Sequence, residues 1–370
     1  MTLNSKKILF LPFLNIPSGH HQVADSLIHE MELNEPKMKC EKAEIFSYSY
    51  GKIEAFISGI YLKWIHAFPH VYNWIYQQCV YKNIEQPKNF KIYELLFLAQ
   101  MKRLIKEKQP DCVVCTHALP SYMLNVMKEK GMLNIPVINV YTDFFIHRFW
   151  GTNQIDFHFV SSPNMIELLI NKGVPKQRIW FTGIPTHPEI KSNSFSVRKD
   201  HPPTLSIMVT GGNLGVGAME DLLQSIQTSG KIKFHVLCGK NKLLYQKLKK
   251  LNNENIIPLA YITSRKEMNK LYDSIDGILT KPGGVTISEC LRKRIPTFIY
   301  HALPGQEVIN LDQLQQLGVV YYLNNWDDIE SQLFTFFESK ENQEKINSSL
   351  EDYHNQLTDQ KIAELIKRIL

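Results

Sequence analysis

Two adjacent glycines stand where a predicted strand meets a predicted helix, in the segment 281–289. The apolar residues 277–279 predict the strand, and residues 286–293 predict the helix. Backbone N–H groups at Gly283–Gly284 can close on an anion, and the dipole of the following helix favours negative charge. Glu289 lies about one and a half turns into that helix, where its carboxylate can accept hydrogen bonds from a ribose. The segment predicts a nucleotide site, with an ordinary strand–helix turn and a surface glutamate as the alternative.

A histidine opens the first predicted helix of the chain. It is His20, which follows Ser18 and Gly19 after the predicted strand 7–13. The N-terminus of a helix disfavours an imidazolium, so a neutral His20 could accept a proton. A surface histidine with no chemical role is the alternative.

An acidic residue follows the predicted strand 137–141 in a similar position. Asp143 comes two residues after that strand, with His147 and Trp150 just beyond it. Ligands of open α/β sheets bind at the carboxyl ends of strands, which predicts a binding or catalytic role for Asp143. Capping of the following turn is the alternative. Trp150 is predicted to line an apolar acceptor site or to belong to the core.

Two further segments carry groups that suit a sugar nucleotide. Gly211 and Gly212 directly follow the predicted strand 205–210 and begin a glycine-rich loop. A dinucleotide fingerprint needs an acid after the next strand, and Lys240 is found there instead, which argues against an oxidoreductase. The pair Gln306–Glu307 follows a Pro-Gly turn and is suited to reading sugar hydroxyls.

Apolar runs alternate with helical patterns almost throughout the 370 residues, which predicts an α/β fold with parallel sheets. The predicted strands are 7–13, 112–116, 137–141, 157–160 and 179–182 in the first half, and 205–210, 234–238, 277–280, 297–300 and 319–323 in the second. The polar stretch 189–203 is the predicted linker. We therefore expect two doubly wound Rossmann-like domains facing a central cleft, at 1–188 and 204–340, with a C-terminal helix at 341–370 packing back on the first domain.

The segment 46–97 interrupts the alternation with many aromatic residues and interleaved lysines. Trp64 and Trp74 are its tryptophans. Aromatic rings among basic side chains suit a membrane interface with anionic lipid, while a helical insertion whose rings form core is the alternative. The net charge of +6 favours an anionic partner, and no nucleic-acid-binding motif accompanies it.

Neither a signal peptide nor an apolar run of about 20 residues is present, which predicts a cytoplasmic protein. Cys112 and Cys115 have redox or zinc spacing, but they fall in a predicted strand and are expected to be core thiols. His66 and His70 are interrupted by a proline and have no evident third ligand. We expect no metal site.

Taken together, the motifs resemble a known family. They resemble the processive diacylglycerol glycosyltransferases of bacteria and the plant monogalactosyldiacylglycerol synthases, which are relatives of the transferase that adds N-acetylglucosamine to a peptidoglycan precursor. The motifs that carry this resemblance, in the family's order, are 18–20, 142–144 with His147 and Trp150, 183–185, 238–241, 281–284, Glu289 and 304–307.

The resemblance implies a GT-B fold, an N-terminal lipid-acceptor domain, a C-terminal nucleotide-sugar domain, inversion at the anomeric carbon and no required metal. It implies that His20 is the general base and that Asp143 orients His20 or the acceptor. The residues implied for the UDP-hexose donor are Gly19, Gly211, Gly212, Lys240, Lys281, Gly283, Gly284, Val285, Glu289, Gln306 and Glu307. Those implied for the diacylglycerol acceptor and the anionic inner face of the cell membrane are His147, Trp150, Trp64 and Trp74.

Two alternatives to a glycolipid-forming hexosyltransferase remain. One is a UDP-sugar 2-epimerase on the same fold, for which the segment 46–97 would have no purpose. The other is a lipid- or nucleotide-binding homologue without turnover, against which the joint presence of His20, Asp143 and Glu289 speaks.

Overall fold

The chain folds into two compact units, each built on one parallel sheet. The computed structural model describes residues 5–13, 18–50, 90–193, 204–211, 218–226, 228–323 and 325–370. The first unit comprises residues 1–188, 304–306 and 357–370, and the second comprises 189–303 and 307–356. Each sheet has six strands among the described residues, and all their pairings are parallel. This is the predicted α/β class.

The first unit alternates strands and helices along the chain. Its strands are β1 (Lys7–Leu11), β2 (Lys39–Lys42), β3 (Cys112–Cys115), β4 (Val137–Val140), β5 (Phe157–Val160) and β6 (Ile179–Phe181). Its helices are α1 (Gly19–Asn34), α2 (Ile45–Tyr50), α3 (Lys91–Lys108), α4 (Ala118–Glu129) and α5 (Pro163–Asn171), with a 3₁₀ turn at Lys176–Arg178.

The order of strands in this sheet is β2-β1-β3-β4-β5-β6. The chain leaves β1 towards β2 on one side and then returns to place β3 on the other side. The point between β1 and β3 is therefore a topological switch point, where open α/β sheets bind their ligands beyond the carboxyl ends of the strands. Leu11 pairs with Cys115, so the two strands end level with each other.

The second unit has the same alternation. Its strands are β7 (Leu205–Thr210), β8 (Ile232–Leu237), β9 (Ile256–Leu259), β10 (Gly277–Thr280), β11 (Thr297–Ile299) and β12 (Tyr321–Tyr322). Its helices are α6 (Ala218–Ser225), α7 (Lys242–Leu251), α8 (Arg265–Ser274), α9 (Gly284–Lys293), α10 (Gln306–Gln316), α11 (Ile329–Glu338) and α12 (Lys340–Gln356). The first residue of α10, Gln306, is grouped with the first unit.

Its strand order is β12-β11-β10-β7-β8-β9, which is the order of a Rossmann sheet and has its switch point between β7 and β10. The core residues of β7 and β10 are fully buried, among them Ile207, Met208 and Ile278. Strands covered on both faces read as continuous apolar runs, which explains why these strands could be predicted from the sequence.

Two strands escaped the sequence prediction, and both lie at the edge of a sheet. They are β2, with the sequence Lys-Cys-Glu-Lys, and β9, which contains Pro258. An edge strand is covered less completely, so it carries charged residues or proline in place of an apolar run. The remaining predicted strands differ from the observed ones by one or two residues at their ends.

The C-terminal stretch 341–370 forms two helices where the sequence suggested one. Helix α12 belongs to the second unit, and α13 (Ile362–Ile369) belongs to the first. Between them, the N–H of Thr358 donates to the carbonyl of Phe181 at 2.8 Å, and the N–H of Ala363 donates to Glu30 at 3.1 Å. These contacts bind the end of the chain to the first unit and require a break in the helical pattern.

Cys112 and Cys115 are both fully buried free thiols, so the prediction of core thiols is confirmed. Burial raises the pKa of Cys112 to about 12. Within the described ranges, no three His, Cys, Asp or Glu side chains gather as a metal site would require. No helix in that part of the chain combines the length and apolar character needed to cross a bilayer. His66, His70 and most of the aromatic segment 46–97 lie outside the described residues.

Candidate functional site

His20 is held in one tautomer by a backbone carbonyl. It is the second residue of α1, directly beyond the carboxyl end of β1. Its Nδ1 lies 2.8 Å from the carbonyl oxygen of Thr116. Because a carbonyl only accepts, Nδ1 must carry the hydrogen, and the lone pair of the neutral ring is then on Nε2. The imidazole is thus held in the tautomer in which Nε2 is able to accept a proton.

Two threonines from neighbouring strand ends complete the support of this ring. Thr142 Oγ1 lies 2.9 Å from Nδ1, and Thr116 Oγ1 donates to the backbone carbonyl of His20 at 3.0 Å. Thr116 follows β3 and Thr142 follows β4, so three adjacent strands hold the histidine. Thr116 had been predicted only as the end of a strand. The rule that parallel strands end at one edge of a sheet could have placed it beside His20.

Asp143 acts on His20 through its charge. Burial lowers the pKa of His20 below the ordinary 6.5, and the nearby Asp143 carboxylate opposes this by raising it. Asp143 is buried, and its Oδ2 accepts a hydrogen bond of 2.7 Å from Nε2 of Gln306, which is also part of the first unit. Thr116 and Thr142 supply hydrogen bonds to the ring, and the role implied for Asp143, to orient His20 or the acceptor, stays a prediction.

Two more histidines surround His20, and both are neutral. The ring of His117 meets that of His20 edge to face with centroids 4.6 Å apart, and its Nδ1 accepts from the N–H of Leu119 at the start of α4. Burial lowers the pKa of His117 well below its usual range and that of His147 to about 3, with the charge of a protonated His20 adding to both shifts. Burial is the largest cause of the lowered pKa in all three rings, so the surroundings of His20 favour a neutral imidazole that can accept a proton.

The loop after β4 is anchored at a glycine. The N–H of Gly151 donates to Ser121 Oγ at 3.1 Å, and Asn139 Nδ2 donates to its carbonyl at 2.8 Å. A Cβ at position 151 would lie 2.5 Å from Asn125 Cβ, so only glycine fits there. The preceding Trp150 is buried, with its ring 4.6 Å from that of Tyr141, which places it in the core of the first unit.

In the second unit, the glycine pair begins α9 directly after β10. Gly283 is the N-cap residue, with φ of −84° and ψ of 134°, a conformation open to any residue. A Cβ added there would meet no heavy atom of the described residues within 4 Å. Among the described residues, neither backbone strain nor packing requires glycine at 283, and they leave the space beside it open to a ligand. Val285 in the first turn of α9 and Lys281 before it are half-buried.

Glu289 projects from the interior of the same helix and is 6% exposed. The hydroxyl of Tyr272 donates to its Oε2 at 2.7 Å, and Arg265 Nη1 lies 3.5 Å from its Oε1. Burial raises the pKa of Glu289, while the Tyr272 hydrogen bond and the Arg265 charge lower it. Tyr272 and Arg265 were absent from the sequence-based set, because nothing in a single sequence links positions 17 and 24 residues apart on two helices.

The other residues of the second unit that are predicted to bind the donor lie at separate positions. Glu307 Oε2 accepts from the N–H of Leu303 at 2.7 Å and so closes its own turn. Lys240 is exposed, with its Nζ 5.7 Å from the centre of the Tyr261 ring. Gly211 directly follows β7 at the switch point. Gly212, Trp64 and Trp74 lie outside the described residues.

The comparisons with known proteins agree with this arrangement. A family model described as monogalactosyldiacylglycerol (MGDG) synthase matches residues 20–186. The chain is 44% identical over 367 residues to the uncharacterized glycosyltransferase YkoN of Bacillus subtilis, covering 99% of this chain and 97% of that protein. It is 30% identical over 331 residues to the processive diacylglycerol beta-glucosyltransferase of Staphylococcus carnosus, covering 86% of this chain and 81% of that protein.

The fold is similar to that of solved glycosyltransferases. The crystal structure of MurG from Acinetobacter baumannii superimposes with a TM-score of 0.58 at 13% identity, covering 98% of this chain and 99% of that one. A likeness at this identity concerns the fold alone. The family follows from the sequence relatives, whose names agree with the resemblance of the motifs. This chain therefore belongs to the family of the processive diacylglycerol glycosyltransferases and monogalactosyldiacylglycerol synthases, and it has the two-domain, Rossmann-like GT-B fold.

Proposed function

We propose that this glycosyltransferase moves a hexose from a UDP-sugar to diacylglycerol or a glycosylated diacylglycerol, with inversion at the anomeric carbon. The observation that carries this proposal is the Nδ1–H of His20 on the carbonyl of Thr116, which leaves Nε2 as a base. A neutral imidazole fixed in this way is suited to take the proton of an acceptor hydroxyl. The relatives' names supply the class of acceptor.

In the proposed step, the acceptor oxygen attacks C1 of the sugar while its proton passes to Nε2 of His20. The bond from C1 to the phosphate oxygen breaks, and the electron pair leaves with the UDP diphosphate. One displacement with one base inverts the configuration at C1. Asp143 contributes by raising the pKa of His20 against the effect of burial, which strengthens the base.

The diphosphate that departs carries the developing negative charge. We assign it to the N-terminus of α9, where the amides of Gly283 and Gly284 and the helix dipole favour an anion. Preorganised amides of this kind stabilise a leaving group without a bound cation, so we propose that no metal is required. Lys281, next to this turn, adds positive charge.

Recognition of the donor is assigned to further groups that follow β7, β8, β10 and β11 in the chain. Glu289 would accept hydrogen bonds from the ribose, and Gln306 with Glu307 would read the hexose. Because one oxygen of Glu307 already accepts from Leu303, its second oxygen is the one assigned to the sugar. Gly211, Gly212 and Lys240 would line the diphosphate and base regions.

The acceptor is proposed to reach the protein from an anionic membrane surface, with the protein bound peripherally at the inner face of the cell membrane. The net charge of +6 supports this, as do the relatives named for diacylglycerol. His147 and the loop anchored at Gly151 are assigned to the acceptor side.

The test uses purified full-length protein with UDP-glucose, UDP-galactose or UDP-N-acetylglucosamine and diacylglycerol vesicles of varying anionic lipid content. We expect a glycolipid product whose yield rises with anionic lipid and persists in a metal chelator. Product from one sugar nucleotide identifies the donor, and the anomeric configuration by NMR tests inversion. No glycolipid with any donor would contradict the proposal, and an epimerised sugar formed without lipid would favour a UDP-sugar 2-epimerase.

A further inference from the structure

The ribose-binding role proposed for Glu289 depends on a second residue that touches it. Tyr272 lies on α8 and is 2% exposed, and its hydroxyl donates to Glu289 Oε2 at 2.7 Å. Burial raises the pKa of Tyr272 well above its usual value, so the hydroxyl keeps its proton and remains a donor. Arg265, the first residue of the same helix, reaches the other oxygen at 3.5 Å.

The two helices that carry this pair are also fixed to each other. Lys293 at the end of α9 is buried, and its Nζ contacts Asp273 and donates to Asn269 at 3.2 Å on α8. Because Asp273 follows Tyr272 directly, the ion pair between the buried Lys293 and the more exposed Asp273 holds the backbone of α8 beside the tyrosine. The position of Tyr272 relative to Glu289 is thus set by the packing of α8 on α9, and no ligand is needed to establish it.

We propose that Tyr272 is the positioning residue for Glu289: its hydroxyl occupies one acceptor position of Oε2 and turns the remaining lone pairs towards the ribose of the donor. This inference rests on the proposed function. An ionised carboxylate has about four acceptor positions, so one hydrogen bond from Tyr272 leaves room for two ribose hydroxyls. A carboxylate already oriented by a charge-assisted hydrogen bond loses little rotamer freedom when the donor binds.

A merely structural tyrosine would affect all ligands alike, whereas a positioning role is specific to the ribose hydroxyls. The experiment therefore compares the dissociation constants of UDP and 2′-deoxy-UDP by calorimetry with the full-length protein. In the unaltered protein we expect UDP to bind about tenfold more tightly, the effect of one hydrogen bond to a charged group. Tyr272→Phe should reduce that ratio to about twofold while leaving the affinity for 2′-deoxy-UDP nearly unchanged.

Two variants complete the comparison. Glu289→Gln should also reduce the ratio, and adding Tyr272→Phe to it should cause no further change, because both act through one carboxylate. Tyr353→Phe is the matched control, since it removes another buried tyrosine hydroxyl of the second unit and should keep the full ratio.

The outcomes separate the two proposals. If Glu289→Gln reduces the ratio and Tyr272→Phe does not, the role of Tyr272 is overturned and the ribose role of Glu289 stands. If the unaltered protein does not distinguish the two nucleotides, or Glu289→Gln retains the distinction, the ribose role of Glu289 fails and that of Tyr272 with it. If Tyr272→Phe does not fold, Arg265→Gln asks the same question through the other oxygen, and an unchanged ratio there would count against a carboxylate positioned by its neighbours.

Discussion

The two units place their candidate groups at corresponding points of two similar sheets but hold them in different ways. His20 lies beyond the β1/β3 switch point and is fixed by a backbone carbonyl and a hydroxyl from strand ends. Glu289 follows the β7/β10 switch point inside a helix and is fixed by side chains of the neighbouring helix. The first arrangement preserves a neutral base, and the second supports a buried charge. One architecture thus holds both the group proposed to exchange a proton and the group proposed only to bind.

The substitution that should cost most activity is His20→Ala. Loss of a general base lowers the rate of transfer by about 10²–10⁴-fold, while the affinity for UDP should stay nearly the same because the diphosphate and ribose are assigned to Gly283, Gly284 and Glu289 of the second unit. Initial rates and calorimetric titration with UDP measure the two effects. His29→Ala, on the same helix α1, is the control. Unchanged turnover in His20→Ala would remove His20 from the mechanism.

The second substitution asks whether the space beside Gly283 belongs to the donor. Gly283→Ala fits the backbone and meets no described atom within 4 Å, so the melting temperature should not change. The added methyl group should hinder the diphosphate and weaken UDP binding about tenfold, as expected for the loss of one charge-assisted hydrogen bond. Gly277→Ala provides the contrast, because its Cβ would lie 3.1 Å from Phe337 and should lower the melting temperature. Normal UDP affinity in Gly283→Ala would place the diphosphate elsewhere.

The third substitution separates charge from orientation in the first unit. The pKa of His20 is lowered by burial and raised by Asp143, so Asp143→Asn should lower it further. A less basic His20 should reduce the maximal rate by about threefold to tenfold and move the acid limb of the pH–rate profile to lower pH. In the unaltered protein that limb should lie below 6.5. Rates of transfer between pH 5 and 8 test this, and a limb that moves to higher pH in the variant would exclude the electrostatic role.

The smallest effect concerns stability in the second unit. Burial raises the pKa of Glu289, so folding favours the protonated carboxyl. The stability that this form contributes at low pH is lost as pH rises through the raised pKa, and above it the ionised group imposes a penalty on folding. Glu289→Gln removes this penalty and should raise the free energy of unfolding by about 1 kcal/mol at pH 8, and by less at pH 5. Thermal unfolding without ligand at both values tests the sign. A variant less stable at pH 8 than the unaltered protein would show that the Arg265 and Tyr272 contacts outweigh burial.

The sequence predicted most of the central strands, the turn that leads into α1 at His20 and the turn that leads into α9 at Gly283 and Gly284. Its limits are visible at β2 and β9, where edge exposure replaces the apolar run with charge or proline. They are visible again at 357–361, where the C-terminal pattern breaks so that α13 can join the first unit. Trp150, for which the sequence left two interpretations open, is buried against Tyr141, and its role at an acceptor site stays a prediction.

The amino-acid sequence alone established the parallel α/β class, and it marked the turn at Gly283 and the side chains of His20, Asp143 and Glu289 as candidates for function. Only the tertiary structure decided what holds them. The Thr116 carbonyl is 96 residues from His20 in the chain, and Tyr272 is 17 residues from Glu289. Neither contact leaves a periodic pattern in the sequence, because hydrogen bonds between separate elements depend on how strands and helices pack. The motifs of the sequence therefore reveal the candidate residues, whereas tertiary packing sets the tautomer of His20 and the hydrogen-bond partners of Glu289.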